Sequence, residues 1–285
     1  MNPYLGVLQG NPRKSRFREV VNIYLYDTVN GGKRRSGSEG GMNNEYDPLA
    51  AIYDRYWARE YHAAALPVVK KLLLSQLRSG ASVLDICCGT GRFTAAVRDA
   101  GFRVAGIDAS QEMLAYARRN APDVEFTWTD VRSFSLKARF DAAYSVFESL
   151  NHVPDMGELS AAFGRIRKHL KRGAPFLFDL NREEAFLAQW NETNAIVDEE
   201  YVCVTRSEYD EEQRRAACDV TVFGREKKNW KRSDFTLRQT CHEIGAVQDA
   251  LSQSGFGDIA LYDASDLGMD EDTGYARTFF LAAAK

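Results

Sequence analysis

The sequence has no apolar run that approaches the ~18 residues a membrane-spanning helix requires. It also lacks the charged-then-apolar order of a secretory signal at its start. Its five cysteines form no C-x-x-C pair, and with only four histidines we expect no metal site. We therefore expect a cytoplasmic protein with reduced thiols and no membrane partner.

A strongly basic composition is missing as well. The 285 residues carry a formal net charge of −3, with 27% charged and 45% hydrophobic residues. That balance gives no general attraction for nucleic acid, so we expect no nucleic-acid partner. The length suits one sizeable α/β domain with an addition, and the composition is ordinary for a globular protein.

Residues 1–41 differ in composition from the rest of the chain. The second part, 30–41, consists largely of Gly, Ser, Lys and Arg. Such a segment buries too little apolar area to offset its ordering entropy. We expect 1–41 to be a poorly ordered extension, with a docked arm as the alternative. Met42 is a second candidate translation start.

Strands and helices alternate through most of 42–181, after a helical segment at 46–78. This rhythm is typical of parallel strands joined by helices, and it predicts an α/β fold whose sheet is covered on both faces. Residues 42–181 are therefore the expected core. The predicted strands are 82–87, 103–107, 124–128, 140–147 and 174–179, and the predicted helices are 92–100, 110–120 and 158–169.

The rhythm changes after Asn181. Three segments alternate apolar and polar residues and are separated by charged turns, which predicts an antiparallel sheet solvated on one face. We therefore expect 182–240 to be an inserted β-meander and 241–285 to complete the core. The predicted elements are strands at 196–207, 214–224 and 231–240, then a helix at 246–254 and a strand at 277–283.

A glycine-rich turn follows the first predicted strand, in Val83-Leu-Asp85-Ile-Cys87-Cys-Gly89-Thr-Gly91. A strand that turns tightly into a helix leaves backbone N–H groups facing a ligand, and glycine lets that backbone approach closely. A G-x-G pattern alone is weak evidence for a nucleotide site. Three carboxylates strengthen it.

Asp85, Asp108 and Asp130 lie at the ends of three successive predicted strands. Ligands of such sheets bind at the carboxyl edge of the strands, so these side chains are expected in one site. Asp108 is placed to accept hydrogen bonds from both ribose hydroxyls, and Asp130 to meet an adenine amino group. Asp85 would brace the loop or reach the ligand. A helix cap at Asp108 and a turn at Asp130 are the structural alternatives.

The competing ligand is a dinucleotide. Its fingerprint requires a third glycine at the position of Thr94, where the helix packs on the strand, and that glycine is missing. An NAD-dependent oxidoreductase is therefore disfavoured.

With these residues, the chain resembles class I S-adenosylmethionine-dependent methyltransferases from Tyr46 to the C-terminus. It is most similar to the small-molecule YqeM-like and aminosugar N-methyltransferase groups. These carry a Tyr-Asp near the start and an Asn-Tyr or Gly-His after the fourth strand, here Tyr53-Asp54 and Asn151-His152. The matching segments are LDICCGTGRF, GIDASQEML, Thr129-Asp130, RFDAAYSVFESLNHV and LKRGAPFLFDLN.

The resemblance implies a Rossmann-like seven-stranded sheet whose last strand is antiparallel, with a lid made by the N-terminal helices and the insertion. It implies S-adenosylmethionine as cofactor and methyl transfer to a nitrogen or oxygen of a small-molecule substrate. A homodimer is a candidate assembly, and the sequence leaves the oligomeric state open. Two residues depart from the family pattern. Cys87 replaces the usual glycine, and His152 stands where tyrosine is frequent, although some aminosugar enzymes have histidine there.

The loop after the fourth predicted strand is expected near the transferred methyl group. His152 is a candidate base because imidazole titrates near neutrality, and Glu148 is a candidate to attract a cationic substrate. A hydrogen-bonding role in the loop is the alternative for both. Tyr53 and Tyr56, at helical i, i+3 spacing, are candidates to cover the sulfonium, or they simply pack.

The expected site has two further groups of residues. The candidate cofactor-binding residues are Tyr53, Asp85, Cys87, Gly89, Thr90, Gly91, Asp108, Ala109, Met113, Asp130, Val131 and Phe147. The candidate substrate-binding residues are Tyr56, Asn151, Trp190 and Arg238, with His242 beside the lid. A non-catalytic S-adenosylmethionine-binding module is the alternative function.

Overall fold

The computed structural model describes residues 46–285, so the expectations for 1–41 lie outside the described residues. The helices are α1 (Ala50–Ile52), α2 (Ala58–Leu72), α3 (Arg92–Asp99), α4 (Gln111–Asn120), α5 (Met156–Lys168), α6 (Glu183–Gln189), α7 (Ile244–Gln253) and α8 (Glu271–Gly274). The strands are β1 (Ser82–Ile86), β2 (Arg103–Asp108), β3 (Glu125–Trp128), β4 (Ala142–Ser145), β5 (Pro175–Asn181), β6 (Thr193–Val197), β7 (Tyr201–Asp210), β8 (Arg215–Glu226), β9 (Asn229–Thr240), β10 (Phe256–Asp263) and β11 (Arg277–Ala284). No helix in the described part of the chain is long and apolar enough to cross a bilayer.

Seven strands form the main sheet, in the order β10-β11-β5-β4-β1-β2-β3. Strand β1 pairs in parallel with β2 and β4, whereas β11 pairs antiparallel with both β5 and β10. The expected α/β class and the antiparallel last strand are confirmed. Strand β10 had no counterpart among the elements predicted from the residues.

Both faces of this sheet are buried, as the continuous apolar strands predicted. Successive side chains of a strand point to opposite faces. Phe176 and Phe178 of β5 therefore pack with Phe163 of α5 on one face. Between them, Leu177 packs with Tyr144 and the N-terminal helix α2 on the other face.

Four strands, rather than the expected three, form the second sheet, in the order β6-β7-β8-β9. The segment expected as one strand at 196–207 divides at Asp198. Its carboxylate accepts hydrogen bonds from the backbone N–H groups of Glu200 and Tyr201, at 2.7 and 2.6 Å. This is an Asx turn, which reverses the chain between β6 and β7. The charged turns at 210–212 and 226–228 join β7 to β8 and β8 to β9, as expected.

The segment before the core is also helical, but its details differ from the expectation. Pro67 lies inside α2. Residues Tyr53–Trp57 form a π-helical turn, in which the hydrogen bonds span five residues instead of four. Helix α4 begins after Ser110, which caps it, since the Ser110 hydroxyl accepts from the N–H of Met113 at 3.1 Å.

Candidate active site

A cavity of about 670 Å³ lies at the carboxyl ends of β1 to β4, with the second sheet forming part of its wall. This is the edge at which parallel α/β sheets bind ligands. It is lined by Tyr46, Leu49, Tyr53, Trp57, Cys87, Gly89, Ile107, Asp108, Ala109, Met113, Thr129, Asp130, Val131, Arg132, Phe147, Glu148, Ser149, His152, Val153, Gln189, Trp190, Thr205, Ser207, Cys218, Leu237 and Gln239.

The turn after β1 has left-handed backbone at three positions: Cys87 (φ 58°), Gly89 (φ 53°) and Gly91 (φ 71°). Glycine adopts this conformation freely, and cysteine does so with strain. At Gly91, a Cβ would lie 2.8 Å from the backbone of Ala117 in α4, so only glycine lets the start of α3 pack there. The predicted loop is therefore present, with Cys87 facing the cavity in a glycine-type conformation.

Asp108 fastens this loop to the end of β2. Its carboxylate accepts from the N–H groups of Gly89 and Ser110, both at 2.8 Å. Burial raises the pKa of Asp108 to about 6, although these backbone N–H groups act in the opposite direction. A carboxylate accepts about four hydrogen bonds, so its remaining acceptor positions suit the two hydroxyls of a ribose.

Asp130 lines the same cavity after the neighbouring strand β3, and its carboxylate holds Arg132. The guanidinium donates to both carboxylate oxygens, at 2.8 and 2.6 Å, and also contacts Glu158. Partial burial would raise the pKa of Asp130, but the hydrogen bonds from Arg132 hold it below its usual value. The strand-end carboxylates therefore meet at one edge, with Asp130 already partnered by a neighbouring cation.

Asp85 lies beneath the glycine turn and does not line the cavity. Its carboxylate accepts from the hydroxyls of Thr94, at 2.5 Å, and Tyr144, at 2.8 Å. Burial raises the pKa of Asp85 to about 7, while these hydroxyls lower it. This placement matches a brace for the start of α3. Thr90 is likewise buried and outside the cavity lining.

The loop after β4 faces the glycine turn. Phe147 (φ 66°) and Glu148 (φ 40°) are both left-handed, which is strained for non-glycine residues. The ring of Phe147 stacks on Tyr61, with centroids 4.3 Å apart, and tilts against Tyr53, at 5.7 Å. The carboxylate of Glu148 forms an ion pair with Arg277. Burial raises the pKa of Glu148, and Arg277 lowers it.

His152 also lines the cavity, with both ring nitrogens engaged. Nδ1 lies 2.7 Å from the carbonyl oxygen of Arg238, which can only accept, so Nδ1 carries the proton. Nε2 then accepts, from the hydroxyl of Tyr46 at 2.7 Å and the amide of Gln239 at 3.1 Å. Burial lowers the pKa of His152 to about 4, so the ring is neutral at physiological pH.

Of the four candidate substrate-binding residues, only Trp190 lines the cavity. Tyr56 instead donates to Asp198 of the second sheet, because the π-helical turn removes the regular i, i+3 register with Tyr53. Asn151 is fully buried and joins the loop to the ends of β5 and β9. Arg238 is exposed on β9.

Sequence reasoning missed most of the second sheet's contribution. Leu237 and Gln239 flank Arg238, and strand alternation turns them toward the cavity. The alternation itself was visible, but it does not say which face is inward. Asp54 is part of the Tyr-Asp motif, and the motif alone does not predict its contacts. Its carboxylate accepts from Arg92 at 2.7 and 2.5 Å and from Asn120 at 2.8 Å, which fastens the N-terminal helices beside the glycine turn.

These residues fit S-adenosylmethionine. Gly89 of the turn lines the cavity, and the acceptor positions of Asp108 beside it suit the nucleoside part, whereas Gly91 packs against α4 outside the cavity lining. The aromatic rings of Tyr53 and Phe147 lie across the cavity, and an aromatic face attracts a positive charge such as a sulfonium.

Comparisons with known proteins agree with this geometry. A family model described as a methyltransferase domain matches residues 83–173. The dTDP-3-amino-3,6-dideoxy-α-D-glucopyranose N,N-dimethyltransferase of Streptomyces fradiae is 34% identical over 139 residues, which are 47% of this chain and 54% of that protein. The chain thus spans about half the length of this relative. A protein of Geobacillus sp. named as a methyltransferase is 27% identical over 245 residues, 83% of this chain and 98% of that protein.

The fold is shared with solved structures. A S-adenosylmethionine-dependent methyltransferase from Clostridium acetobutylicum superposes with a TM-score of 0.68 at 22% identity, over 85% of this chain and 99% of that one. A methyltransferase domain therefore lies at residues 83–173, and proteins named as aminosugar N,N-dimethyltransferases and YqeM-like methyltransferases are among the homologues of the chain.

Proposed function

We propose that this protein transfers the methyl group of S-adenosylmethionine to a nitrogen or oxygen of a small metabolite. One observation carries the proposal: the glycine turn, the loop after β4 and the second sheet all line one cavity. A cofactor held at the turn would then face an acceptor held against the sheet. When bound, S-adenosylmethionine supplies an electrophilic methyl group for in-line displacement.

The protein's own part is mainly positioning and exclusion of water, which can contribute ~7–11 kcal/mol to such a reaction. Asp108 would hold the ribose, and Tyr53 and Phe147 would cover the reacting centre. The second sheet and Trp190 would form the acceptor side as a lid. The domain division at residues 181 and 240 belongs to the same proposal.

His152 is the candidate base in this scheme. Its neutral ring has the protonation state that a base requires, but a pKa of about 4 makes it a weak proton acceptor. If it takes the proton, His152→Ala should lower turnover about 10²-fold while the affinity for S-adenosylmethionine is kept. Kinetics and calorimetry on the same preparation measure both. Unaltered turnover would limit His152 to packing.

The activity is tested by incubating the protein with S-adenosylmethionine and a metabolite panel that includes dTDP-3-amino-3,6-dideoxy-α-D-glucopyranose, the amino sugar named for the Streptomyces fradiae relative. Mass spectrometry should detect S-adenosylhomocysteine together with a product heavier by one or two methyl groups. Cofactor binding without S-adenosylhomocysteine across the panel would favour the non-catalytic binding module.

The cellular location and the oligomeric state of the protein are also proposals. All five cysteines are unpaired, which suits the reducing conditions of the cytoplasm. A homodimer is tested by light scattering on the purified protein, and a monomer at all concentrations would exclude it.

A further inference from the structure

A buried cluster of charged side chains lies behind the loop that follows β4. It brings together Glu148 from that loop, Asp179 from β5 and Arg277 from β11, and only 15%, 0% and 7% of these side chains are exposed. Tyr61 of α2 completes the cluster. Its hydroxyl donates to Asp179 at 3.0 Å, and its ring lies 4.7 Å from the guanidinium of Arg277.

The cluster contains two carboxylates and one guanidinium. The same nitrogen of Arg277, Nη1, contacts both Glu148 and Asp179. The second oxygen of Asp179, Oδ1, is buried without a hydrogen-bond donor from the described residues. Within residues 46–285, these two carboxylates form ion pairs with Arg277 and with no other cation. With both carboxylates ionised, one negative charge remains without a partner.

A buried charge without a partner is unfavourable, and the cost is relieved when a countercharge joins it or when the group takes up a proton. Of the three charged residues, Glu148 alone lines the cavity. Its backbone is held in the strained left-handed conformation, and its N–H donates to Asp179 at 3.0 Å. Strain of this kind persists where the surroundings impose it, and here Asp179 and Arg277 hold the backbone and the carboxylate.

We propose that Glu148 binds a positive charge in the cavity, and that Asp179 and Arg277 position it for this purpose. The cation is either the sulfonium of the cofactor or the ammonium group of an amine acceptor, and a neutral hydroxyl acceptor would leave the charge uncompensated. The inference rests on the proposed function only in that the cavity holds S-adenosylmethionine beside its acceptor.

The first arm of the test uses the cofactor alone. S-adenosylmethionine carries the sulfonium charge and S-adenosylhomocysteine does not, so calorimetry on both separates charge from shape. If the sulfonium is the cation, Glu148→Gln lowers the affinity for S-adenosylmethionine about tenfold, while the affinity for S-adenosylhomocysteine changes less than about twofold. Asp179→Asn keeps an oxygen acceptor for the N–H of Glu148 but removes one charge. It should therefore lower the affinity for S-adenosylmethionine relative to that for S-adenosylhomocysteine, by a smaller factor than Glu148→Gln does.

The second arm uses dTDP-3-amino-3,6-dideoxy-α-D-glucopyranose and its 3-hydroxy counterpart, each added to the complex with S-adenosylhomocysteine. If the acceptor's ammonium is the cation, Glu148→Gln lowers the affinity for the amino sugar about tenfold. The affinity for the hydroxy sugar should change little. The matched control is Glu211→Gln, which removes one charge in the exposed turn after β7 and should change neither arm. Circular dichroism verifies the fold of each variant.

A change confined to either arm supports the proposal and identifies the cation. Equal effects of Glu148→Gln on charged and uncharged ligands, or no effect in either arm, would overturn it. The first arm does not depend on turnover. If Glu148→Gln loses the discrimination between charged and uncharged ligands but the wild-type protein produces no S-adenosylhomocysteine, only the proposed reaction is refuted. If the wild-type protein turns over and Glu148→Gln keeps that discrimination in both arms, only the inference is refuted.

Discussion

At the scale of single residues, three non-glycine residues that line the cavity adopt left-handed backbone: Cys87, Phe147 and Glu148. Each carries strain of about 1–2 kcal/mol, and such residues concentrate where the surrounding structure holds a functional loop. They lie on the two loops that face each other at the cavity, the turn after β1 and the loop after β4. The family usually has glycine at the position of Cys87, and glycine adopts this left-handed conformation without strain.

Cys87 gives the first residue-scale prediction. Cys87→Gly relieves the strain but gives the unfolded chain more freedom, so the free energy of unfolding should change by no more than about 1 kcal/mol. Cys87→Val keeps the left-handed backbone and adds a β-branched side chain, so it should be less stable than the glycine variant by about 1–2 kcal/mol. Urea denaturation measures both. Equal stability of the two variants would contradict the backbone assignment.

Asp108 gives the second prediction at the scale of single residues. Burial raises its pKa to about 6 in the free protein, and ribose hydroxyls would donate to its ionised form. Cofactor binding must then displace a proton below that pH, so the dissociation constant should be constant above about pH 7 and rise up to tenfold per unit below about pH 6. Calorimetry between pH 5 and 8 measures this.

Two variants complete that experiment. Asp108→Ala should weaken cofactor binding by about 1.5–3 kcal/mol and abolish the rise of the dissociation constant at low pH. The control Asp249→Asn removes a carboxylate from the exposed face of α7 and should keep the wild-type profile. A pH dependence that survives in Asp108→Ala would assign it to another group.

At the scale of elements, the N-terminal helices are fastened to the core at Asp54. Its carboxylate accepts a forked pair of hydrogen bonds from Arg92 at the start of α3 and one from Asn120 at the end of α4. Burial would raise the pKa of Asp54, but the hydrogen bonds from Arg92 and Asn120 lower it. The carboxylate therefore favours its charged, bonded form and fixes the segment that carries Tyr53.

We expect Asp54→Ala to lower the free energy of unfolding by about 1.5–3 kcal/mol, the scale of hydrogen bonds to charged groups. Affinity for S-adenosylmethionine should fall as well, because Tyr53 loses its support. Asp54→Asn keeps an acceptor and should lose less. Urea denaturation and calorimetry provide the measurements, and wild-type stability in Asp54→Ala would show that the helices are held elsewhere.

At the scale of the whole molecule, residues of both sheets line the cavity. The composition of 1–41, rich in Gly, Ser, Lys and Arg in its second part, leads us to expect that this segment is dispensable for binding. A chain that begins at Met42 should keep its thermal midpoint within about 2 °C and its affinity for S-adenosylmethionine within a factor of about two. A clearly lower midpoint, or lost affinity, would show that the extension belongs to the fold.

The alternation of strands and helices, the glycine turn and the strand-end carboxylates were predictable because they are local. Strand burial, tight turns and caps depend on residues a few positions apart. The seven strands of the main sheet and its antiparallel last strand followed from the resemblance, whereas the strand order came from the structure, since periodicity does not say which strands are neighbours. The division of the second sheet into four strands was missed because the Asx turn at Asp198 lies inside an alternating stretch.

The sequence by itself therefore determined the α/β architecture and the edge of the sheet at which the cavity lies. Only the tertiary structure decided that Gln239 and not Arg238 faces the cavity, and that the π-helical turn takes Tyr56 away from Tyr53. It also brought Arg277 to Glu148 and Asp179. Such contacts join strands far apart in the chain, and they depend on how the elements pack, which no local pattern encodes.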